Sequence, residues 1–552
     1  MKLVPAIRVH LAALRRRTAS ESGFAMIAVL GVLVVTSLLT AAIYVGVTAD
    51  VQQTQRDTNT KQAYDAARAG ENAYLYQLNQ NPSYWSTCAN DYQPTPVAVP
   101  GAGTGVKYSY VPVYNSGYSN TNCTTSNAIQ ALIDASSGTL RIAFTGYAGP
   151  TNAAGVPKVT KTIVASFRKP SPLDFLWYTD HEMRDPALDP TNCTGEKYYY
   201  QYTTGIPSAI SGHCEINWVS GDKINGPMYT NDQYLVYTNN SPTFGRAGSS
   251  DKVESSAPTT SICVTSKCYG ATFPGGGAQP QAQNVPLPPS VSSTQLATDA
   301  STYGNTYQGT TTITLNGGSA TISNCPGTTS TAACTTGLLN TTISDPPIIY
   351  VSSLSGCPSA YSASTYATNS KGQYYGPCGD VYVHGYYNQP LTIVSDHDII
   401  IMANMAGLTN PGLTTDTDAN GNPVGNATLG LVAGDFVRVM HSANQVPSAV
   451  TIDAAILTLQ HSFVVDNYDT GNATPQPYLN VHGALAQRYR GTVGTVGASG
   501  YLKAYNYDDR LHVLLPPYLF SLSTAGWDIS RETLCMPNTP ASNSSSCSYT
   551  GS

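Results

Sequence analysis

The chain has 552 residues, and charged side chains make up only 11% of them, whereas a typical soluble domain carries about 25%. Tyr (38) and Gly (48) are abundant instead, which indicates extensive β-structure with many turns. The formal net charge is −6, and few Lys or Arg follow the N-terminal leader, so the basic surface that nucleic-acid binding requires is excluded. The length allows more than one domain.

A charge-free apolar segment, Phe24–Ala49, follows a leader that contains the basic run Arg15–Arg17. At about 1.5 Å per residue, a helix from Phe24 to Val45 can cross a hydrocarbon core of about 30 Å. Because the basic side comes first, the positive-inside rule predicts that residues 1–23 are cytoplasmic and that the chain after Asp50 lies outside the membrane. No small-residue cleavage site closes the run, as a secretory signal would require.

The basic leader, Gly23, Phe24 and the long apolar helix together resemble the class III signal of type IV pilins and type II secretion pseudopilins. The resemblance implies that a prepilin peptidase cuts after Gly23 and methylates Phe24. Most members of that family carry Glu as the fifth mature residue, where this chain has Ala28. In the family this Glu neutralises the N-terminal amine of a neighbouring subunit, because an unpaired buried charge is costly. The PilX-like and GspK-like minor subunits lack it, and a plain single-pass anchor is the alternative.

The helix is predicted to continue beyond the membrane, so that residues 24–80 form one element. No proline occurs before Pro82, and the segment Tyr64–Ala73 resembles the small-residue "AAEAG" segment of PilX N-terminal domains. Small residues allow another helix or a sheet to approach closely. The residues that recur at helical spacing are Ala63, Ala66, Ala67, Gly70, Ala73, Tyr74 and Leu78.

Residues 81–170 contain three segments that alternate as strands do, which predicts a small antiparallel sheet like a pilin headgroup. The segments are Lys107–Val113, Thr139–Tyr147 and Lys158–Arg168. The domain boundary is expected at Lys169–Pro172, which follow directly.

Residues 171–534 are predicted to form a parallel β-solenoid-like exported domain, with a β-sandwich as the alternative. Beyond Ile348 the apolar segments are short, and the sequence Val-His-Gly occurs at both 383–385 and 481–483. The tail from Leu485 resembles the end of uncharacterised exported proteins that join a PilX-like N-terminus to a β-helical domain. That family has no established chemistry. The charges near this tail are expected to form a paired cap that seals the last coil: Arg488, Arg490, Lys503, Asp508, Asp509 and Arg510.

All 12 cysteines lie beyond the apolar segment, where an oxidising compartment makes disulfides the default. No CxxC pair occurs and no His stands at ligand spacing to a Cys, so no metal site is predicted. Residues 535–552 are expected to be a disulfide-closed tail. The simplest connectivity joins sequence neighbours, namely Cys88–Cys123, Cys193–Cys214, Cys263–Cys268, Cys325–Cys334, Cys357–Cys378 and Cys535–Cys547.

Catalytic chemistry has few candidate residues in this chain. Parallel β-helices often carry enzymes that act on polysaccharides, and these use clustered carboxylates. The candidates are Asp508–Asp509 and Ser395–Asp398, where Asp396 and Asp398 would share one strand face and could hold Ca²⁺. Asp is also common in turns, and HExxH, Walker and GxSxG motifs are missing from the sequence. We therefore expect no catalytic residues and no cofactor.

These observations predict a mainly β protein with one long N-terminal helix. The resemblance implies a non-enzymatic minor subunit or assembly factor of a type IV pilus or type II secretion-like system, low in copy number or located at a tip. Its partners would be other pilin-like subunits, the assembly machinery, prepilin peptidase and the lipid bilayer. The alternative is a membrane-tethered adhesin whose tyrosines, such as Tyr198–Tyr202 and Tyr374–Tyr375, stack on surface glycans.

Overall fold

The computed structural model confirms a mainly β fold with one long N-terminal helix. Most of the predicted leader and the tail beyond Cys535 lie outside the described residues. These are residues 22–535 apart from 82–83, 104, 114–132, 135–138, 154, 192, 194–196, 203–213, 265–266, 292–294, 328–333, 335–336, 338–339, 359, 364–365, 367, 404–407, 473, 496, 513 and 520–525.

The helix α1 (Ser22–Gln80) spans 59 residues without interruption. Its sequence contains no proline, so the backbone hydrogen bonds can continue from the apolar segment into the polar one. Pro82 follows the last helical residue closely, in agreement with the predicted end near residue 80.

A small sheet of six antiparallel strands packs against the C-terminal part of α1. The strands are Gln93–Ala98 (β1), Lys107–Pro112 (β2), Ile133–Asp134 (β3), Thr139–Thr151 (β4), Pro157–Arg168 (β5) and Asp528–Cys535 (β29). Their order is β1-β2-β4-β5-β29, and β3 pairs with β4.

The strand β29 comes from the far end of the chain. It runs antiparallel to β5, with Asp528 opposite Arg168 and Leu534 opposite Ile163. The sequence-based assignment of residues 528–534 to the solenoid-like domain is therefore wrong, because they complete the edge of β5. The solenoid is an insertion between two strands of the small sheet.

Short strands between β5 and β29 form the second and larger sheet. They are Trp177–Arg184 (β6), Lys223–Asn225 (β7), Met228–Thr230 (β8), Thr243–Phe244 (β9), Lys252–Ser255 (β10), Gly277–Pro280 (β11), Asn305–Gln308 (β12), Thr311–Gly317 (β13), Ser319–Asn324 (β14), Thr341–Ser344 (β15), Ile348–Ser352 (β16), Val381–Tyr387 (β17), Leu391–Ser395 (β18), Ile399–Ile401 (β19), Leu413–Thr414 (β20), Leu429–Ala433 (β21), Val437–Val439 (β22), Val450–Thr458 (β23), Phe463–Val465 (β24), Tyr478–Arg490 (β25) and Leu502–Tyr507 (β28). A separate hairpin joins Gly494–Thr495 (β26) to Ser499–Gly500 (β27), and a short helix α2 spans Leu296–Tyr303.

The strands stack in three parallel ladders. The first is β12-β16-β18-β21-β23-β25-β6-β8-β10-β11. The second is β13-β17-β19-β22-β24, and the third is β17-β20-β23-β25-β28-β7-β9. Parallel ladders wound by one chain are solenoid-like, whereas the sheets of a β-sandwich are antiparallel. At one end β13, β14 and β15 add an antiparallel meander.

The coils differ in length. Met228, Val253 and Ala278 stand in register, so two successive coils take 25 residues each. In contrast, 38 residues separate Ile393 from its partner Leu431 in the next coil. This variation explains why the sequence shows no fixed repeat.

The chain enters the solenoid in its middle. Its first strand, β6, lies between β25 and β8, and residues 281–304 then carry the chain to β12 at the opposite end of the ladder. We call the contact of β25 and β28 with β6 and β7 the seam.

Two of the charges that were expected to cap a last coil, Arg490 and Lys503, lie at the seam instead. Arg490 pairs with Glu182 at 3.3 Å and Lys503 pairs with Asp222 at 3.2 Å, both across the seam. The expectation of a terminal cap is wrong, because the coils of residues 177–280 continue the stack beyond β28.

The repeated Val-His-Gly sequence marks two corners where the backbones approach closely. A Cβ on Gly385 would lie 2.3 Å from the Leu315 carbonyl oxygen, and one on Gly483 would lie 1.9 Å from that of Ala454. Only glycine fits at such distances.

Candidate membrane and assembly surface

The N-terminal half of α1 presents apolar side chains on all sides. Its 18-residue window of highest mean hydropathy reaches 2.5, and none of that window is buried, so the helix is long and apolar enough to cross a membrane. The exposed residues include Met26, Ile27, Val29, Leu30, Val32, Leu33, Val34, Val35, Leu38, Leu39, Ile43, Tyr44, Val45 and Val47.

The hydroxyl groups within this segment bond to the helix itself. Thr36 donates to the Val32 carbonyl at 2.8 Å, and Ser37 donates to the Leu33 carbonyl at 2.7 Å. Because these donors are satisfied locally, the hydroxyls are compatible with lipid or with a neighbouring apolar helix.

The predicted processing junction lies at the beginning of α1. Gly23 and Phe24 belong to the first helical turn, which starts at Ser22, and Ala28 is exposed one turn later. The residues before Ser22 lie outside the described part, so cleavage at this junction stays a prediction.

Beyond the apolar segment, α1 turns one face of small residues toward the sheet. Ala63, Ala67 and Leu78 are fully buried there. Gly146 on β4 faces this stripe, and a Cβ on it would lie 1.9 Å from the Ala63 carbonyl oxygen and 2.4 Å from the Ala67 nitrogen. The predicted close approach therefore occurs between the helix and the sheet.

Two polar contacts fasten α1 to the returning strand β29. Glu532 accepts a hydrogen bond from the Tyr64 hydroxyl at 3.0 Å and pairs with Arg68 at 3.1 Å. Sequence reasoning missed Glu532, because its partners are more than 460 residues away. It also missed Glu71, although spacing from Ala67 to Leu78 puts this carboxyl on the buried face.

The candidate Ca²⁺ ligands Asp396 and Asp398 have separate partners. They lie at the corner between β18 and β19 rather than along one strand, so the expected shared strand face is wrong. Asp396 accepts hydrogen bonds from the Ser353 amide at 2.8 Å and hydroxyl at 2.7 Å. Asp398 pairs with Arg438 at 2.9 Å.

His397 belongs to the same cluster, where Asp380, His397 and Asp398 bring ligand atoms within 4.8 Å of one another. Burial lowers the pKa of His397, but its hydrogen bond to Asp380 and the surrounding carboxylates outweigh burial and raise the pKa to about 9. In this cluster the carboxylates pair with two cationic side chains, His397 with Asp380 and Arg438 with Asp398.

The carboxylates Asp508 and Asp509 are likewise paired. Arg510 bonds to Asp508 at 2.8 Å, and Arg246 bonds to Asp509 at 2.7 Å. Their arginine partners are different, so the two do not form a pair of free carboxylates.

The tyrosine clusters use much of their ring surface for packing. Tyr198 stacks on His181 with ring centroids 4.1 Å apart, and Tyr374 stacks on Tyr382 at 3.8 Å. Tyr199 is buried. These faces are therefore occupied by side chains of the protein itself.

Within the described residues, four disulfides join neighbouring cysteines, in the order that the simplest connectivity predicts. They are Cys193–Cys214, Cys263–Cys268, Cys325–Cys334 and Cys357–Cys378. Cys535 is also disulfide-bonded. Cys123 and Cys547 lie outside the described residues, so the pairs with Cys88 and Cys535 stay predictions.

Comparisons with known proteins identify no family for the chain. No family model and no curated protein matches it. Among solved structures, the competence-associated pilin ComZ from Thermus thermophilus matches over 86% of this chain and 98% of that chain, with 12% identity and a TM-score of 0.29. A TM-score of this size establishes neither a shared fold nor a shared function.

Proposed function

We propose that the protein is a pilin-like minor subunit or assembly factor of a type IV pilus or type II secretion-like system. The observation that carries the proposal is the division of α1 into two halves. One half is apolar and exposed on all sides, and the other packs a small-residue face on an antiparallel sheet. A helix of this kind can reside in the membrane and later pack among other apolar helices.

The residues at the beginning of the helix favour a minor role. Gly23 and Phe24 fit a prepilin signal, and Ala28 replaces the family's Glu. Such a subunit could not neutralise the N-terminal amine of a neighbour, which makes it unsuited to repeat along a filament. This is the property of PilX-like subunits. We further propose that the N-terminus is cytoplasmic, that the ectodomain lies outside the cytoplasmic membrane, and that the protein is not an enzyme.

Processing tests the prepilin assignment. In cells with an active prepilin peptidase, N-terminal sequencing and intact mass should show that the mature chain begins with methylated Phe24. Gly23→Ala should be processed better than Gly23→Val, because the family's peptidase accepts only small residues before the cut. An unprocessed wild-type chain that begins at Met1 in those cells would contradict the assignment.

A further inference from the structure

A lysine and an aspartate face each other across the seam. The Lys503 ammonium, on β28, lies 3.2 Å from Oδ1 of Asp222, which immediately precedes β7. Their side chains are only 14% and 8% exposed. Oδ2 of Asp222 accepts a hydrogen bond from the Val219 amide at 3.1 Å, which fixes the carboxyl group in position.

An aromatic ring and a second cation lie beside this pair. The Trp218 ring lies 5.5 Å from Nζ of Lys503 and 3.8 Å from the Arg490 guanidinium. Arg490 is fully buried and pairs with Glu182. The neutral form of an amine is favoured where water is excluded and where another cation is near.

Burial and the neighbouring charges have opposing effects on the pKa of Lys503. Burial lowers the pKa of Lys503, Asp222 and Glu182 raise it, and Arg490 lowers it, with a lowered pKa as the result. Forming the neutral amine, which is the nucleophilic form, therefore costs less free energy at Lys503 than at an exposed lysine.

We propose that Lys503 and Asp222 form an intramolecular amide bond that closes the seam covalently. The ammonium first passes a proton to the carboxylate, which leaves a neutral amine and a carboxylic acid. The Nζ lone pair then attacks Cγ of Asp222, the C–N bond forms and the C–OH bond breaks. The hydroxyl departs with the amine proton as one molecule of water, so no oxidant, reductant or co-reactant is required.

The bond would connect positions that are 281 residues apart. It would join the coils of residues 177–280 to those of residues 305–507 at the place where the chain order is interrupted. The solenoid could then not separate at its seam. This inference does not depend on the proposed pilin-like function.

Peptide mapping of the full-length wild-type protein tests the bond directly. After reduction, alkylation and trypsin digestion, the free peptides 198–223 and 491–503 should be lost. Because trypsin does not cleave after an acylated lysine, a joined species of 198–223 with 491–510 should replace them. Its mass should be one water molecule less than the sum of unlinked 198–223 and 491–510. Tandem fragmentation should locate the link at Asp222 and Lys503.

Lys503→Arg provides the matched control, since it keeps a cation beside Asp222 but cannot form the amide. Its digest should release both peptides in free form. If the wild-type digest releases them at the same level as Lys503→Arg, the pair is an ion pair only and the proposal is wrong. Because this comparison uses wild-type protein, it holds even if the variant folds poorly.

Discussion

At the residue scale, two carboxyl groups are buried where α1 meets the small sheet domain, one on the helix and one that bonds to it. Asp91 accepts a hydrogen bond from the Tyr74 hydroxyl; burial raises the pKa of Asp91 to about 8, although that bond acts in the opposite direction. Burial and the charge of Glu532 raise the pKa of Glu71 to about 7, against the opposing effect of Arg68. Oε1 of Glu71 has no hydrogen-bond partner in the described part of the chain.

Glu71 should make the stability of the small sheet domain pH-dependent. Its folded pKa lies above the ordinary 4.5, so its stabilising contribution is present below about pH 4.5 and is lost as the pH rises through about 7. Glu71→Gln should raise the free energy of unfolding by about 1–3 kcal/mol at alkaline pH and have little effect in mild acid. Thermal unfolding of the detergent-solubilised protein in mild acid and at alkaline pH measures the difference between wild type and variant.

Asp57→Asn, at an exposed position of the same helix, is the control for removing one carboxylate. An equal effect of Glu71→Gln at both pH values would contradict the account.

Some residue contacts could be predicted from the sequence and others could not. The four disulfides between neighbouring cysteines follow from chain order, as in Cys263–Cys268, because short loops keep the partners close. Lys503 and Asp222 give no local pattern, since only the solenoid winding brings them together.

At the element scale, the helix and β4 touch backbone to backbone at Gly146. Gly146→Ala should lower the stability of the small sheet domain by about 1–3 kcal/mol, because the added methyl group meets the Ala63 carbonyl and the Ala67 amide. Gly103→Ala is the matched control, since a Cβ there meets nothing within 4 Å. Calorimetry should show a lower transition temperature for the first variant only, and equal effects of both would contradict this packing.

The elements themselves were predictable to different degrees. Helical spacing and the lack of proline predicted α1, and alternation predicted β4 and β5. The pairing of β29 could not be predicted, because its partner precedes it by about 360 residues and its exposure pattern does not alternate cleanly.

At the scale of the whole molecule, the solenoid is tied to the small sheet by two neighbouring connections. Arg168 pairs with Asp174 at 2.6 Å at the entrance and donates to the His512 carbonyl at 3.2 Å at the exit. Short apolar segments predicted the solenoid class, but not the entry of the chain at its middle. That order depends on contacts between strands as distant as β6 and β25.

The large inserted solenoid and Ala28 together predict that the protein cannot be the repeating subunit of a filament. Quantitative mass spectrometry of sheared filaments, with the major subunit counted in the same sample, tests this most directly. The account predicts one copy for many major subunits, or none if the protein stays in the membrane. A copy number close to that of the major subunit would contradict it.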